Sequence, residues 1–183
     1  MTDFIYDGAP AAKATFLLAH GAGAPMDSDW MNMVATKIAG HGIRVARFEF
    51  GYMAARRAGN RPPPSPAKKL IGEYIGAIGS VERSGPLFIG GKSLGGRMAS
   101  MIADKQFRDG AIAGLVCLGY PFHPPGQPEK LRTDHLEKLS CPTLICQGER
   151  DPFGTREEVA AYPLSSAIAI EWLTDGDHDL KPR

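Results

Sequence analysis

The sequence lacks the features of secreted, membrane-spanning and nucleic-acid-binding proteins. Its 183 residues include only three cysteines, whose spacing suits neither a disulfide framework nor a metal site. The formal net charge is +1, so no global field draws the chain toward nucleic acid or a membrane surface. No apolar run approaches the roughly 20 residues of a membrane span, and the N-terminus lacks the basic and apolar regions of a signal peptide. We therefore expect a cytoplasmic protein without a metal or other cofactor and without a nucleic-acid or membrane partner.

Short apolar runs alternate with longer segments of helical periodicity along the whole chain. Strands are predicted at 14–19, 43–50, 86–89, 114–119, 142–147 and 167–173, and helices at 27–39, 68–81, 98–107, 131–139 and 155–161. The segment 51–66, rich in arginine and proline, is predicted to be a loop. A repeated strand–helix order calls for an α/β fold, with a mostly parallel sheet covered by helices on both faces. The length suits one domain over residues 1–183.

Four segments that directly follow predicted strands carry reactive side chains. They are His20-Gly-Ala-Gly, Gly91-Lys-Ser-Leu-Gly95, Asp151-Pro-Phe-Gly and Asp177-His178. Because sites in parallel sheets form at the carboxyl ends of strands, we expect these four segments to meet at one edge of the sheet.

Ser93 is predicted to be a nucleophile. It stands between glycines two residues before and two residues after it, with an apolar strand before the cluster and a helix after it. A Cβ at Gly91 or Gly95 would clash in so tight a turn, and the turn pushes the hydroxyl outward at a helix N-terminus. The alternative is a structural glycine-rich turn.

A serine hydroxyl needs a base, and His178 is the predicted one. In hydrolases built on such a sheet the partners follow in the order serine, acid, histidine, which leaves His123, His135 and His178. His178 follows the last strand in a short polar turn. His135 falls in a helical stretch, and His123 lies between a phenylalanine and two prolines, from where it could line the pocket.

The predicted acid is Asp151, which would hold the histidine tautomer and offset the charge of the imidazolium. It follows a strand and precedes Pro-Phe-Gly, so a turn-forming aspartate is the alternative reading. Asp134, at a helix start, is the weaker competitor for the same role.

Two backbone N–H groups are predicted to stabilise an oxyanion. One belongs to Leu94, the residue after the nucleophile, and the other to Ala22 in the loop after the first strand. His20 is expected to fix that loop or to border the substrate pocket.

Together the ordered motifs resemble those of a known family. They are His20-Gly-Ala-Gly-Ala, the segment 90–97, Gly119-Tyr-Pro-Phe-His123, the segment 147–154, and Gly176-Asp-His178. They resemble the small α/β-hydrolases related to dienelactone hydrolase, and most closely the hydrolases similar to the testis-expressed protein and to a subunit of the NSL chromatin complex. The resemblance implies the α/β-hydrolase fold and the Ser93–Asp151–His178 triad. Since Ser93 replaces the cysteine of dienelactone hydrolase, that enzyme's substrate is not carried over, and the helix that usually follows the histidine loop is not expected within the sequence.

The loops suggest an open site for a small ester, thioester or other acyl substrate. About twenty residues separate the strand at 114–119 from Pro142, which leaves no room for a lid domain. Arg56, Arg57 and Arg61 lie in the predicted loop after Phe50. A solvated basic loop is the favoured interpretation; the alternative is that Arg56 and Arg57 border the pocket and attract an anionic substrate.

Two other functions compete with a serine hydrolase. Gly91-Lys-Ser93 matches the end of a nucleotide-binding P-loop, but the first glycine of that motif would fall on Pro86. The second alternative is a catalytically silent interaction module on the same fold. An intact triad with both oxyanion loops argues against it.

Overall fold

One β-sheet forms the centre of the computed structural model, which describes residues 2–183. Over these residues the sheet has seven strands in the order β1-β3-β2-β4-β5-β6-β7. The strands are β1 (Phe4–Asp7), β2 (Ala14–Ala19), β3 (Ile43–Phe48), β4 (Leu87–Lys92), β5 (Gly114–Leu118), β6 (Thr143–Gly148) and β7 (Ile168–Leu173). Every neighbouring pair is parallel except β1 and β3, which are antiparallel. The predicted mostly parallel sheet is therefore confirmed.

Helices cover both faces of the sheet. They are α1 (Asp29–Ala39), α2 (Gly51–Arg57), α3 (Ala67–Ser80), α4 (Leu94–Arg108) and α5 (Arg156–Val159), with a 3-10 turn at Asp134–Leu136. Successive side chains of a strand point to opposite faces. Leu17 of β2 accordingly packs with the core that includes α3 and α4, whereas Leu18 packs with Met31 and Ala35 of α1. Within residues 2–183, no helix combines the length and the apolar character needed to cross a bilayer.

Two elements differ from the sequence-based expectation. Residues 51–57 form α2 rather than a loop, and Phe4–Asp7 adds an edge strand that was not predicted. Helix α2 depends on a tertiary contact: the Glu73 carboxylate on α3 accepts the Gly51 N–H at 3.0 Å and caps the first turn. A cap 22 residues away in the chain leaves no local pattern from which α2 could be predicted.

The predicted helix at 131–139 contracts to the 3-10 turn, and within the described residues that turn is the only helical element between β5 and β6. Its Leu136 and the nearby Leu139 are buried against the α4 side of the sheet. The β5–β6 connection is thus short, in keeping with a site that has no lid domain.

Strand register brings the reactive segments together. Ala19 at the end of β2 pairs with Gly91, Lys92 at the end of β4 pairs with Leu118, and Leu118 pairs with Cys146 on β6. The loops after these strands therefore leave the sheet at the same edge, where the candidate site lies.

Candidate active site

Ser93 occupies a strained turn between β4 and α4. Its backbone has φ 47° and ψ −109°, a left-handed conformation that costs a non-glycine residue about 1–3 kcal/mol. Hydrogen bonds on both sides of the residue hold this conformation. Ser93 N–H donates to the Leu118 carbonyl at 3.0 Å, and the Ser93 carbonyl accepts from Arg97 N–H at 3.0 Å. The side chain is half-buried and lines a surface cavity.

The glycines that flank Ser93 are required by close backbone approach. A Cβ at Gly91 would lie 2.5 Å from the Ala19 carbonyl oxygen, and a Cβ at Gly95 would lie 2.6 Å from the same atom. Both distances are shorter than a van der Waals contact allows. The turn can therefore nest against the end of β2 only if both positions lack a side chain.

His178 and Asp151 form a hydrogen-bonded pair next to this turn. His178 Nδ1 lies 2.8 Å from Asp151 Oδ2, and the Asp151 side chain is fully buried. Asp151 also accepts from Phe153 N–H at 2.9 Å and from the Gln147 side-chain amide at 2.9 Å. Three donors satisfy the buried carboxylate as an anion. Because a carboxylate only accepts, the Nδ1 atom of a neutral His178 carries the proton and leaves Nε2 as a base.

Gln147 is a site residue that the sequence reasoning missed. Its side chain is fully buried at the end of β6. Its amide oxygen accepts from Tyr120 N–H at 2.8 Å while its amide nitrogen donates to Asp151. The available signal was a single amide among apolar residues at the end of a strand, four residues before the predicted acid.

Ser93 and His178 line one open cavity of about 540 Å³. Apolar side chains form much of its wall, and the Phe153 ring stacks on the His178 imidazole with centroids 4.2 Å apart. Trp30 and Met31 contribute the wall on the α1 side. The cavity can accommodate a small acyl group beside the serine.

The loop after β2 is fixed by His20, whose tautomer is determined by its neighbours. Phe50 N–H lies 3.1 Å from Nε2 and can only donate, so Nε2 accepts and Nδ1 carries the proton. Nδ1 then donates to the Gly21 carbonyl at 2.6 Å. Burial lowers the pKa of His20, which keeps the ring neutral. The ring is therefore a structural support for the loop.

Tyr52 of α2 holds the same loop from a second side. Its hydroxyl lies 3.3 Å from the Gly21 carbonyl oxygen and 3.2 Å from that of Ala22. In a trans peptide the C=O and the following N–H point in opposite directions. Anchoring the Gly21 carbonyl therefore directs the Ala22 N–H away from the core. Burial raises the pKa of Tyr52 to about 12, so the hydroxyl keeps its proton at neutral pH.

Four residues predicted to border the pocket lie elsewhere. His20, His123, Arg56 and Arg57 are not among the side chains that line the cavity. His123 is buried and its Nε2 contacts Glu158 at 3.3 Å. Arg56 donates to the Pro62 carbonyl at 2.9 Å, and Arg57 binds Glu49 at 2.6 Å and also pairs with Asp27. Each of these side chains is engaged by the protein itself, which the sequence could not reveal because most of the partners are distant in the chain.

The competing acid and base are not in the cavity either. Asp134 is exposed at the start of the 3-10 turn. His135 Nε2 lies 2.8 Å from the hydroxyl of Ser100, a buried residue of α4. Of the predicted acids, Asp151 is the one that contacts His178.

Residues 12–183 match the family described as alpha/beta hydrolase domain. Solved structures of low sequence identity share the fold. A dienelactone hydrolase from Anabaena variabilis is 19% identical with a TM-score of 0.75, and the match covers 98% of this chain and 83% of that chain. A serine hydrolase without lid from Xanthomonas campestris is 18% identical with a TM-score of 0.70, covering 98% and 81%. Est1E from Butyrivibrio proteoclasticus is 13% identical with a TM-score of 0.72, covering 98% and 86%. The predicted fold is confirmed, and the chain belongs to the alpha/beta hydrolase domain family.

Proposed function

We propose that the protein is a serine hydrolase that cleaves small carboxylic esters or thioesters through an acyl-enzyme. The observation that carries this proposal is the 2.8 Å contact between the buried Asp151 and His178, at the cavity that also holds the strained Ser93. A nucleophile, a base and an acid that orients the base are the minimum that such a reaction requires.

In the first half of the proposed reaction, Ser93 Oγ attacks the carbonyl carbon while His178 Nε2 takes the hydroxyl proton. The carbonyl oxygen becomes an oxyanion, which accepts from the N–H groups of Ala22 and Leu94. His178 then gives its proton to the leaving alcohol or thiol as the acyl-enzyme forms. In the second half, water attacks the acyl-enzyme while His178 takes its proton. His178 then returns a proton to Ser93 as the carboxylic acid is released. Asp151 stabilises the imidazolium in both halves.

The cavity favours a small and mainly apolar acyl group. Trp30, Met31 and Phe153 provide apolar walls, and the short β5–β6 connection leaves the site open. Arg57 is paired with Glu49, and Arg56 donates to the carbonyls of Pro62 and Ala22, so the proposal assigns neither guanidinium to the substrate. The motifs also resemble those of the testis-expressed and NSL-subunit-like hydrolases. This resemblance is compatible with the proposal and does not indicate a substrate.

Hydrolysis of p-nitrophenyl acetate by purified variants tests the proposal. We expect Ser93→Ala and His178→Ala each to lower kcat by several orders of magnitude, and Asp151→Asn to cause an equal or smaller loss. Ser100→Ala is a matched control, since Ser100 also contacts a histidine but lies outside the cavity; it should retain wild-type kcat. An unchanged rate in Ser93→Ala would refute the proposal, and an unchanged rate in Asp151→Asn would remove Asp151 from it.

A further inference from the structure

Lys92 is a buried lysine at the end of the nucleophile strand. It is the last residue of β4 and directly precedes Ser93, and only 8% of its side chain is exposed. A buried ammonium is costly unless it is paired and hydrogen-bonded. The proposed reaction gives Lys92 no chemical step. The contacts of its ammonium group therefore indicate why it is buried beside the site.

The ammonium group contacts the loop that carries the base. Lys92 Nζ donates to the His178 main-chain carbonyl at 2.5 Å and lies 3.4 Å from Asp179 Oδ1. It also lies 5.5 Å from the centre of the Trp30 ring. Trp30 in turn donates its indole N–H to the Asp179 carbonyl at 2.8 Å. The base loop is thus tied to β4 by Lys92 and to α1 by Trp30.

The base loop is also joined to the loop after β6, where Asp151 binds the His178 ring and the Arg150 N–H donates to the Gly176 carbonyl at 2.9 Å. Residues 174–183 follow β7 without a helix or strand, and Leu180 has a positive φ of 61°. Within this loop, Asp177 accepts from the N–H groups of Asp179 and Lys181. These bonds shape the loop and hold it beside β6, whereas Ser93 follows β4. The Lys92 contact with the His178 carbonyl ties the loop to β4, at the residue that directly precedes the nucleophile.

Asp179 supplies the pairing that a buried ammonium needs. Its carboxylate lies 3.4 Å from Lys92 Nζ, and the His178 carbonyl is a second acceptor. Removing the Asp179 charge should therefore weaken the hold of Lys92 on the base loop.

We propose that Lys92 is a positioning residue for the reaction: its ammonium holds the His178 carbonyl and sets the imidazole within reach of Ser93. This inference rests on the proposed serine hydrolase function. It assigns to the lysine of the Gly-Lys-Ser-Leu-Gly pentapeptide a role within the hydrolase site, in place of the phosphate binding that a P-loop would require.

Steady-state hydrolysis of p-nitrophenyl acetate tests the inference, using Lys92→Met, Lys92→Arg and Asp179→Asn. A base displaced by about 1 Å costs on the order of 10²-fold in rate, so we expect Lys92→Met to lower kcat by about that factor with little change in KM. Lys92→Arg keeps a cation that can donate to the His178 carbonyl and should recover part of the loss, and Asp179→Asn should lower kcat by a smaller factor. Lys105→Met is the matched control, because Lys105 is an exposed lysine of α4, and should leave both quantities unchanged.

The kcat per active site, with active sites counted by reaction with a fluorophosphonate probe, distinguishes positioning from folding. A residue needed only for folding would lower the number of active sites and leave the turnover of each unchanged. A lower kcat per active site in Lys92→Met, with KM unchanged and partial recovery in Lys92→Arg, would support the inference, and an unchanged kcat per active site in Lys92→Met would overturn it. If Lys92→Met does not fold, Asp179→Asn decides: a lower kcat per active site supports the inference, and an unchanged one refutes it. An inactive wild-type enzyme would instead refute the proposed function.

Discussion

Replacing Tyr52 by phenylalanine should impair catalysis although Tyr52 does not line the cavity. The hydroxyl lies within hydrogen-bond distance of the Gly21 and Ala22 carbonyl oxygens, at 3.3 and 3.2 Å. The Gly21 carbonyl belongs to the same peptide group as the Ala22 N–H proposed to bind the oxyanion. Phenylalanine keeps the buried ring, so the substitution removes one of the two side-chain anchors of that peptide and little else.

The expected fall in kcat depends on the contacts of the Gly21–Ala22 peptide that remain after the substitution. Complete loss of one oxyanion donor costs about 10²–10³ in kcat. In Tyr52→Phe the donor is loosened rather than removed, because His20 still binds the Gly21 carbonyl at 2.6 Å. We therefore expect kcat to fall about tenfold, which is ~1.4 kcal/mol in the barrier, with KM nearly unchanged. The free energy of unfolding should fall by about 1 kcal/mol, as for one lost hydrogen bond.

Steady-state hydrolysis of p-nitrophenyl acetate and urea denaturation measure the two quantities. Tyr162→Phe is the matched control: within residues 2–183 the Tyr162 hydroxyl is buried and has no hydrogen-bond partner. Its removal should leave kcat unchanged and should not lower stability. If Tyr52→Phe retains the wild-type kcat, the anchoring of the Gly21–Ala22 peptide plays no part in catalysis and the reasoning is refuted.

Three further perturbations test other parts of the site. Gly91→Ala should prevent assembly of the serine turn, because its Cβ would lie 2.5 Å from the Ala19 carbonyl oxygen; soluble protein with wild-type activity would contradict this. Gln147→Leu removes a 2.9 Å hydrogen bond to the buried Asp151, and we expect a loss of about 1–3 kcal/mol in urea denaturation together with a lower kcat. Burial lowers the pKa of His20 below its usual 6.5, so the unfolded chain binds the proton first, and stability should fall as pH drops below about 6.5. Urea denaturation at pH 7.5 and 5.5 should show a smaller difference in His20→Asn than in the wild type, and an equal difference would rule out His20 as a source of the pH dependence.

The sequence was sufficient to predict most of the sheet because buried parallel strands leave a local signature. The runs that end at Ala19 and Leu118 are apolar and are followed by His20 and Gly119, and the serine turn carries its glycines at fixed spacing. The alternation of these runs with helices fixes the edge of the sheet where their loops meet. The pairing of Asp151 with His178, at 2.8 Å, follows that logic.

The residues that support the site could not be predicted in the same way, because their partners are distant in the chain. Tyr52 acts on a loop 30 residues earlier, and Lys92 acts on a loop 86 residues later. From the sequence, Arg57 is a candidate pocket residue because no acid lies in its own segment, yet its partners, Glu49 and Asp27, come before that segment. Local pattern predicts where strands end; the contacts made beyond those ends depend on the folded topology.

Labelling with a fluorophosphonate probe tests the central claim most directly, because phosphonylation of a serine requires a hydroxyl activated by a working base. The account predicts a single modified residue, Ser93, identified by mass spectrometry of proteolytic peptides. Labelling should be abolished in Ser93→Ala, strongly slowed in His178→Ala, and unaffected in Ser100→Ala. A folded wild-type protein that never reacts with the probe, or that reacts at a serine other than Ser93, would contradict the account.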